Sequence, residues 1–312
     1  MSSFLNEAVV LSMLAATIRI STPLLLAALG ELIAERAGVL NLGVEGMMLL
    51  SCFSGFLATL VTGSQALGVA AAVATGLLVA LLFAVMTIGL KTEQFVTGLA
   101  INLLASGLSL FWFRAYQDVS GNDSPTIELL PSLHLPGLSQ LPLLGPVLFA
   151  HNVLTYVALL AVPAIWLFLY RTRHGLELRC VGENPATLDT KGLSVAARRY
   201  AAVLFGGGMA GLAGAFISVG SSARFVPEMT AGRGWLAIVI VIAGNWQPQW
   251  VLVAALVFAF LNAFQLQAQT AGLDLPYQLL LALPYIVAVL AMMHGRARAR
   301  APAALGLPYH RV

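Results

Sequence analysis

Long stretches of this chain carry no Asp, Glu, Lys or Arg, among them residues 46–90, 94–113, 200–223 and 234–273. That feature limits the possible folds more than any other. A helix needs about 20 mostly apolar residues to cross a bilayer, and a spanning segment must satisfy its own backbone polar groups. Charged residues make up 9% of the 312 and hydrophobic ones 59%, where soluble domains carry about 25% charge. The mean hydropathy of +0.90 points the same way. The chain reads as one all-α domain, a polytopic membrane protein of about 8–10 transmembrane helices.

Candidate spans fall near 8–30, 42–62, 65–89, 95–113, 151–170, 200–220, 235–247, 249–268 and 276–294. The segment 235–247 is short for a full crossing. It is tilted, re-entrant or merged with its neighbour across Asn245–Gln249, where Pro248 breaks a helix. The N-terminus lacks the basic region of a cleavable leader, and Arg19 sits inside the first apolar stretch, so that stretch reads as a retained span.

Charge orients the chain. The interval from Arg171 to Arg199 holds six of the sixteen Lys and Arg residues between two apolar segments. Cytoplasmic loops carry the excess of cations, so this loop is expected to face the cytoplasm. Nine passes then put the N-terminus outside and the C-terminal tail inside. Arg36, Lys91, the loop cations, Arg296, Arg298, Arg300 and Arg311 fall inside, twelve of sixteen. Arg114, Arg224 and Arg233 fall outside. The basic residues thus sit where a membrane topology puts them, and the pI near 9.1 does not imply nucleic acid. The exterior segment 114–150 carries Pro125, Pro131, Pro136, Pro142 and Pro146. It reads as an extended connector or as a docking surface for an exterior partner.

Within the basic loop, Glu183, Asn184, Pro185, Ala186, Thr187, Leu188, Asp189, Thr190, Lys191 and Gly192 have the marks of a short helix between turns. Asn184 suits the N-cap, Pro185 the first helical position and Gly192 the position past the end. Such a rod is either an ordinary interfacial helix or a coupling helix seated in a groove of a soluble partner.

No catalytic constellation is visible. The five histidines are scattered, the two cysteines (Cys52 and Cys180) lie far apart, and no phosphate-binding Gly-x-x-x-x-Gly-Lys-Ser/Thr exists. The glycine-rich run from Gly206 to Gly214, with Gly43 and Gly46, reads as close helix packing rather than a hinge. Polar residues inside the spans are costly and invite a functional reading: Arg19, Asn41, Glu45, Asn102, Asn262, Gln265 and Gln267. Each is either an interhelical hydrogen bond or a substrate contact. Arg19 is expected to snorkel or to pair with Glu45 or Glu31. Glu31, Glu35, Arg36 and Glu45 crowd one turn, where an ion-pair role is expected.

The stretch GENPATLDTKGLSVAARRYAAVLFGGGMAGLAGA, residues 182–215, resembles the coupling-loop region of ABC importer permeases of the branched-chain amino acid and simple-sugar class. GELIAERAGVLNLGVEGMMLLSCFSGF, residues 30–56, resembles the opening of the nucleoside-type permeases of that class, and LPLLGPVLF and PYQLLLALPYIVAVLAM are similar to segments of the same proteins. These are the smaller of two paired permeases serving a basic-membrane-protein-type binding lipoprotein. The resemblance implies an ATP-driven importer subunit without an ATPase of its own, set in lipid in a bacterial cytoplasmic (inner) membrane. Its partners would be a cytoplasmic ABC ATPase, a homologous second permease and an exterior substrate-binding lipoprotein. ATP and Mg would be used by the ATPase subunits, and the chain itself would hold no cofactor. The solute would be a nucleoside, or else a simple sugar. A nucleoside is neutral, so uncharged Asn102 and Asn262 suit it, and Trp112 or Phe264 could stack on a base. Asn41, Glu45 and Gln265 complete the candidate substrate pathway. An ion-coupled secondary transporter is the competing reading. It would want a mid-membrane ionisable group, and the spans after Glu45 are nearly free of charge, which leaves sodium coupling open.

Overall fold

The computed structural model describes residues 7–120, 125–134, 144–270, isolated helical positions between 278 and 290, and 301–309. The expected span 276–294 lies mostly outside the described residues, as do Arg296, Arg298, Arg300 and Arg311. Seven described helices are long and apolar enough to cross a membrane. They belong to α1 (Glu7–Arg36), α2 (Val44–Thr62), α3 (Gln65–Ala84), α4 (Gln94–Ser120), α6 (Val153–Arg171), α9 (Val195–Ala215) and α11 (Pro248–Thr270). Shorter helices are α5 (Leu144–Leu148), α7 (Arg173–Glu183), α8 (Pro185–Asp189) and α10 (Arg233–Ala243). The fold is all-α and multi-pass. Among the described residues the sheet is one antiparallel ribbon, β1 (Ser132–His134) on β2 (Ala150–Asn152).

The helix starts are written in the sequence. Ser64, Asn152, Thr172 and Ser194 each place a side-chain oxygen on a backbone N–H three residues on, capping α3, α6, α7 and α9. The centre of the bundle is α9, packed against α1, α2 and α3. Lipid tails supply no hydrophobic drive between helices, so close approach must come from small side chains. A Cβ on Gly207 would strike Ala80 and the Gly76 carbonyl on α3; one on Gly214 would meet the Met48 carbonyl on α2 at 2.6 Å. The glycines of α9 are packing residues at both contacts. Outside this centre, α4 packs on α2, while α11 and α6 pack on α1.

Two expectations change and a third is made specific. Residues 114–120 continue α4 as helix, so the irregular segment starts later than Arg114. The basic loop holds two helices rather than one, because Thr172 caps the additional helix α7 ahead of Asn184. The segment 235–247 is a half-length helix: α10 has 11 residues, roughly 16 Å at the helical rise, about half of a hydrocarbon core. It is separated from α11 by a turn in which Asn245 and Trp246 adopt positive φ.

Candidate functional site

Two regions concentrate the features that a permease would use: a broken crossing inside the bundle, and a platform at the end marked by Arg36, Lys91 and the basic loop.

The broken crossing begins where α9 widens into a π-helical stretch, Phe216–Ser222. The chain then runs without helix to Arg233, with positive φ at Ala223, Glu228, Ala231 and Gly232. Non-helical backbone at membrane depth persists only when packed in protein or lining a wet cavity, and strained backbone gathers at functional sites. Here Ile127 N–H donates to the Ala223 carbonyl at 2.9 Å and Leu130 N–H to the Val219 carbonyl at 3.0 Å. The Ser106 hydroxyl of α4 donates to the Glu228 carboxylate. The start of α10 has no side-chain cap of its own. Glu45 supplies one from α2: its Oε1 accepts from Gly232 N–H at 2.9 Å and its Oε2 from Gly234 N–H at 2.5 Å. The fit needs glycine, since a Cβ on Gly234 would lie 2.6 Å from the Glu45 Cα.

The start of α2 is likewise uncapped by its own Gly43. Asn102 of α4 fills that role, its Oδ1 accepting from Gly46 N–H at 2.8 Å and its Nδ2 donating to the Leu42 carbonyl at 2.9 Å. Asn41 turns the chain into α2, its Oδ1 accepting from Gly43 N–H at 3.2 Å while its own N–H donates to Glu31 Oε1 at 2.8 Å. Asn41, Glu45 and Asn102 therefore form one chain of caps running from α4 through α2 to α10. The ion pairs expected at this turn are replaced by bonds to neutral groups. Arg36 donates Nε and Nη2 to the Trp246 carbonyl at 3.0 and 2.7 Å, and the Trp246 indole N–H donates to Glu35. One oxygen of each carboxylate is bonded, to the Asn41 N–H or the Trp246 indole, while Glu31 Oε2 and Glu35 Oε1 stay buried without a hydrogen-bond partner among the described residues. Arg19 is elsewhere, lining a polar cavity with Ser132, His151, Asn152 and Thr155. The Thr22–Thr155 hydroxyl bond at 3.1 Å fixes that face of α1 toward α6.

Trp112 lies farther along α4. It stacks on Phe53 at 6.1 Å between ring centroids, with Phe225 edge-on to Phe53 at 5.2 Å. Phe53 and Trp112 wall a cavity of about 740 Å³ between α2, α3 and α4, which also takes in Leu57, Leu108 and Tyr116. The remaining pathway candidates are on α11, which packs on α1, α6 and α10. Asn262 Nδ2 donates to the Phe258 carbonyl of its own helix at 3.0 Å, and Gln265 is buried. The structure thus divides the candidate pathway among a capping network, an aromatic cavity and the α11 face, and does not gather it into one lining.

At the basic end, α7 and α8 form a platform with a small core of its own. Val181 of α7, Leu188 of α8 and Val195 of α9 are buried together, with Cys180, Leu193 and Tyr309 packed on them. Asn184 occupies the N-cap position of α8 without a side-chain bond, Pro185 is its first residue, and Gly192 takes φ +75° in the turn after it. Glu183, Asn184, Ala186, Thr187, Lys191 and Gly192 face outward, and Asp189 is half-buried. Arg198 pairs with Glu177 at 2.6 Å and ties α9 to α7. A Cβ on Gly182 would collide with the Arg36 carbonyl, so α7 abuts the end of α1.

Sequence reasoning missed Trp246, Glu228 and the tail residues 301–309. Positive φ at non-glycine residues carries no sequence signal, and the packing of the tail depends on contacts far apart in the chain.

Comparison with known proteins agrees with this anatomy. The family described as branched-chain amino acid transport system / permease component matches residues 13–292. The putative glucose ABC transporter permease protein TsgC13 of Haloferax volcanii is 44% identical over 84% of this chain and 79% of its own. The guanosine ABC transporter permease protein NupQ of Bacillus subtilis is 35% identical over 94% and 95%. The nucleoside ABC transporter permease protein NupC of Lactococcus lactis is 32% identical over 93% of each. In each of these organisms a second, more distant ABC transporter permease also matches. No solved structure matches the chain. The half-crossing, the multi-pass bundle and a family match spanning most of the sequence make this chain a member of the branched-chain amino acid transport system permease family, a membrane permease subunit of the ABC transporter kind.

Proposed function

We propose that this chain is one of two paired permease subunits of an ATP-driven importer that carries nucleosides. The basic end, with Arg36, Lys91 and the α7–α8 platform, faces the cytoplasm in a cytoplasmic membrane. A separate ABC ATPase, using ATP and Mg, seats Glu183–Gly192 in a groove and pushes on α8. The push passes through the small core around Leu188 into α9, and through Gly182 into the end of α1. An exterior binding lipoprotein delivers the solute. The second permease is supported by the paired permeases among the relatives.

The observation that carries the nucleoside reading is the stack of Trp112 on Phe53 at the wall of the 740 Å³ cavity. A base offers a π-face, and base–aromatic stacking contributes about 1–3 kcal/mol. The named substrates of two relatives, guanosine and nucleoside, support it. Glucose has no aromatic face, and the relative named for glucose makes a sugar the second reading.

The test is reconstitution of the chain with its ATPase, second permease and binding protein in proteoliposomes. ATP-dependent uptake of labelled guanosine, competed by other nucleosides and not by glucose, is the expected result. Competition by glucose alone would establish the sugar reading. Uptake by the chain alone, driven by an ion gradient, would overturn the proposal.

A further inference from the structure

The family match ends at residue 292, yet residues 301–309 beyond it are packed onto the platform. Ala304 N–H donates to the Gly182 carbonyl at the end of α7 at 2.8 Å, and Gly306 N–H to the Gly38 carbonyl between α1 and α2 at 3.2 Å. Arg199 of α9, 3% exposed, donates Nη1 to the Leu307 carbonyl at 2.9 Å. The Tyr309 hydroxyl donates to Asp189 Oδ2 of α8 at 3.0 Å, and its ring packs on the core of Val181, Leu188 and Val195. One short strap therefore touches four parts of the fold: the α1–α2 turn, α7, α8 and α9.

The strap matters because α8 is otherwise weakly fixed along the chain. It has five residues, joined to α7 through Asn184 and to α9 through the turn at Gly192. A force on so short a rod rotates it about those two joints unless something holds it from the side. Tyr309 and Leu188 supply the lateral hold, and Ala304 and Gly306 anchor it to the ends of α7 and α1.

We propose that residues 302–309 brace α8 for power transmission, with Tyr309 as the positioning residue acting through Asp189. This rests on the reading that a partner ATPase pushes α8. The brace converts a thrust on α8 into displacement of α1 and α9 together, instead of a local rotation.

The assembled transporter in proteoliposomes tests it, with ATP hydrolysis and solute uptake measured on the same sample. Tyr309→Phe removes the hydroxyl, and Ala304→Pro removes the donor to Gly182. Both are expected to assemble and hydrolyse ATP while uptake per ATP falls, about tenfold for Tyr309→Phe, which loses a bond to a carboxylate, and about threefold for Ala304→Pro, which loses a neutral backbone bond. Asp189→Asn keeps an acceptor for the Tyr309 hydroxyl and is expected to retain coupling. Tyr309→Phe combined with Asp189→Ala is expected to be no worse than the weaker single variant. If both tail variants keep normal uptake per ATP while glycines inserted at 186–188 uncouple, the brace is overturned and the platform reading stands. If the insertion also leaves coupling normal, both fall. Loss of hydrolysis and uptake together, with loss of the assembled complex, would make the tail a structural cover and overturn the brace.

Discussion

Glu45 shows how one side chain can fix the position of a helix that does not start at the membrane surface. Its two oxygens hold the N–H groups of Gly232 and Gly234. Hydrogen bonds to a charged group contribute about 1.5–3 kcal/mol each, and an unpaired buried donor carries its own penalty. Glu45→Ala is expected to lower the unfolding midpoint in detergent, by a loss of about 2–4 kcal/mol. Glu45→Gln, which keeps one acceptor, should lose about half as much. Equal stability of both variants with the parent would mean that α10 is held by packing alone. Trp112 makes the other residue-scale prediction. Trp112→Ala should raise KM for guanosine uptake about tenfold, and Trp112→Phe much less, since the stacking face is retained. An unchanged KM in Trp112→Ala would remove the aromatic cavity from the solute path.

At the scale of elements, the contact between α3 and α9 is set by Gly76 and Gly207, which leave no room for a Cβ. Gly207→Leu is expected to cost about 1–3 kcal/mol through overpacking and to lower the yield of folded protein. Normal yield and melting would show that the two helices can separate freely. The platform makes a separate prediction. Asp189→Ala, or glycines inserted at 186–188, should leave membrane insertion intact while ATP hydrolysis proceeds without uptake; normal uptake would reduce α8 to a connector. The element scale also shows what the sequence made legible. Charge-free runs marked the long helices, and Asn184-Pro185 and Gly192 marked the short rod between turns, because both signals are local. The half-length of α10 was only partly legible: Pro248 announced the break after it, but the descent from Ala223 to Gly232 rests on positive φ at ordinary residues. Glu45 and Asn102 were visible as polar residues inside apolar helices. That they cap α10 and α2 was not, because a cap supplied by another helix has no fixed spacing in sequence.

For the whole molecule, the basic end is the organising feature. Arg36, Lys91, α7, α8 and the tail gather there, while the ribbon of β1 and β2 closes onto the start of α6 near the opposite end. The orientation proposed above, with the basic end in the cytoplasm, rests on the positive-inside rule. Cys180 should then react with a membrane-impermeant thiol reagent only in inside-out vesicles, and a cysteine placed at Ser120 only in right-side-out ones. The reverse pattern would invert the topology.

The thrust proposed for a separate ATPase on α8 requires that the two touch, and a cross-link reads that contact. A cysteine at the exposed Thr187, combined with a cysteine placed in the groove of the ATPase subunit, is predicted to form a disulfide or bismaleimide link between the two, with uptake arrested on linking and restored on reduction of the disulfide. An active complex in which position 187 never links to the ATPase, under any nucleotide condition, would mean that no ATPase bears on α8.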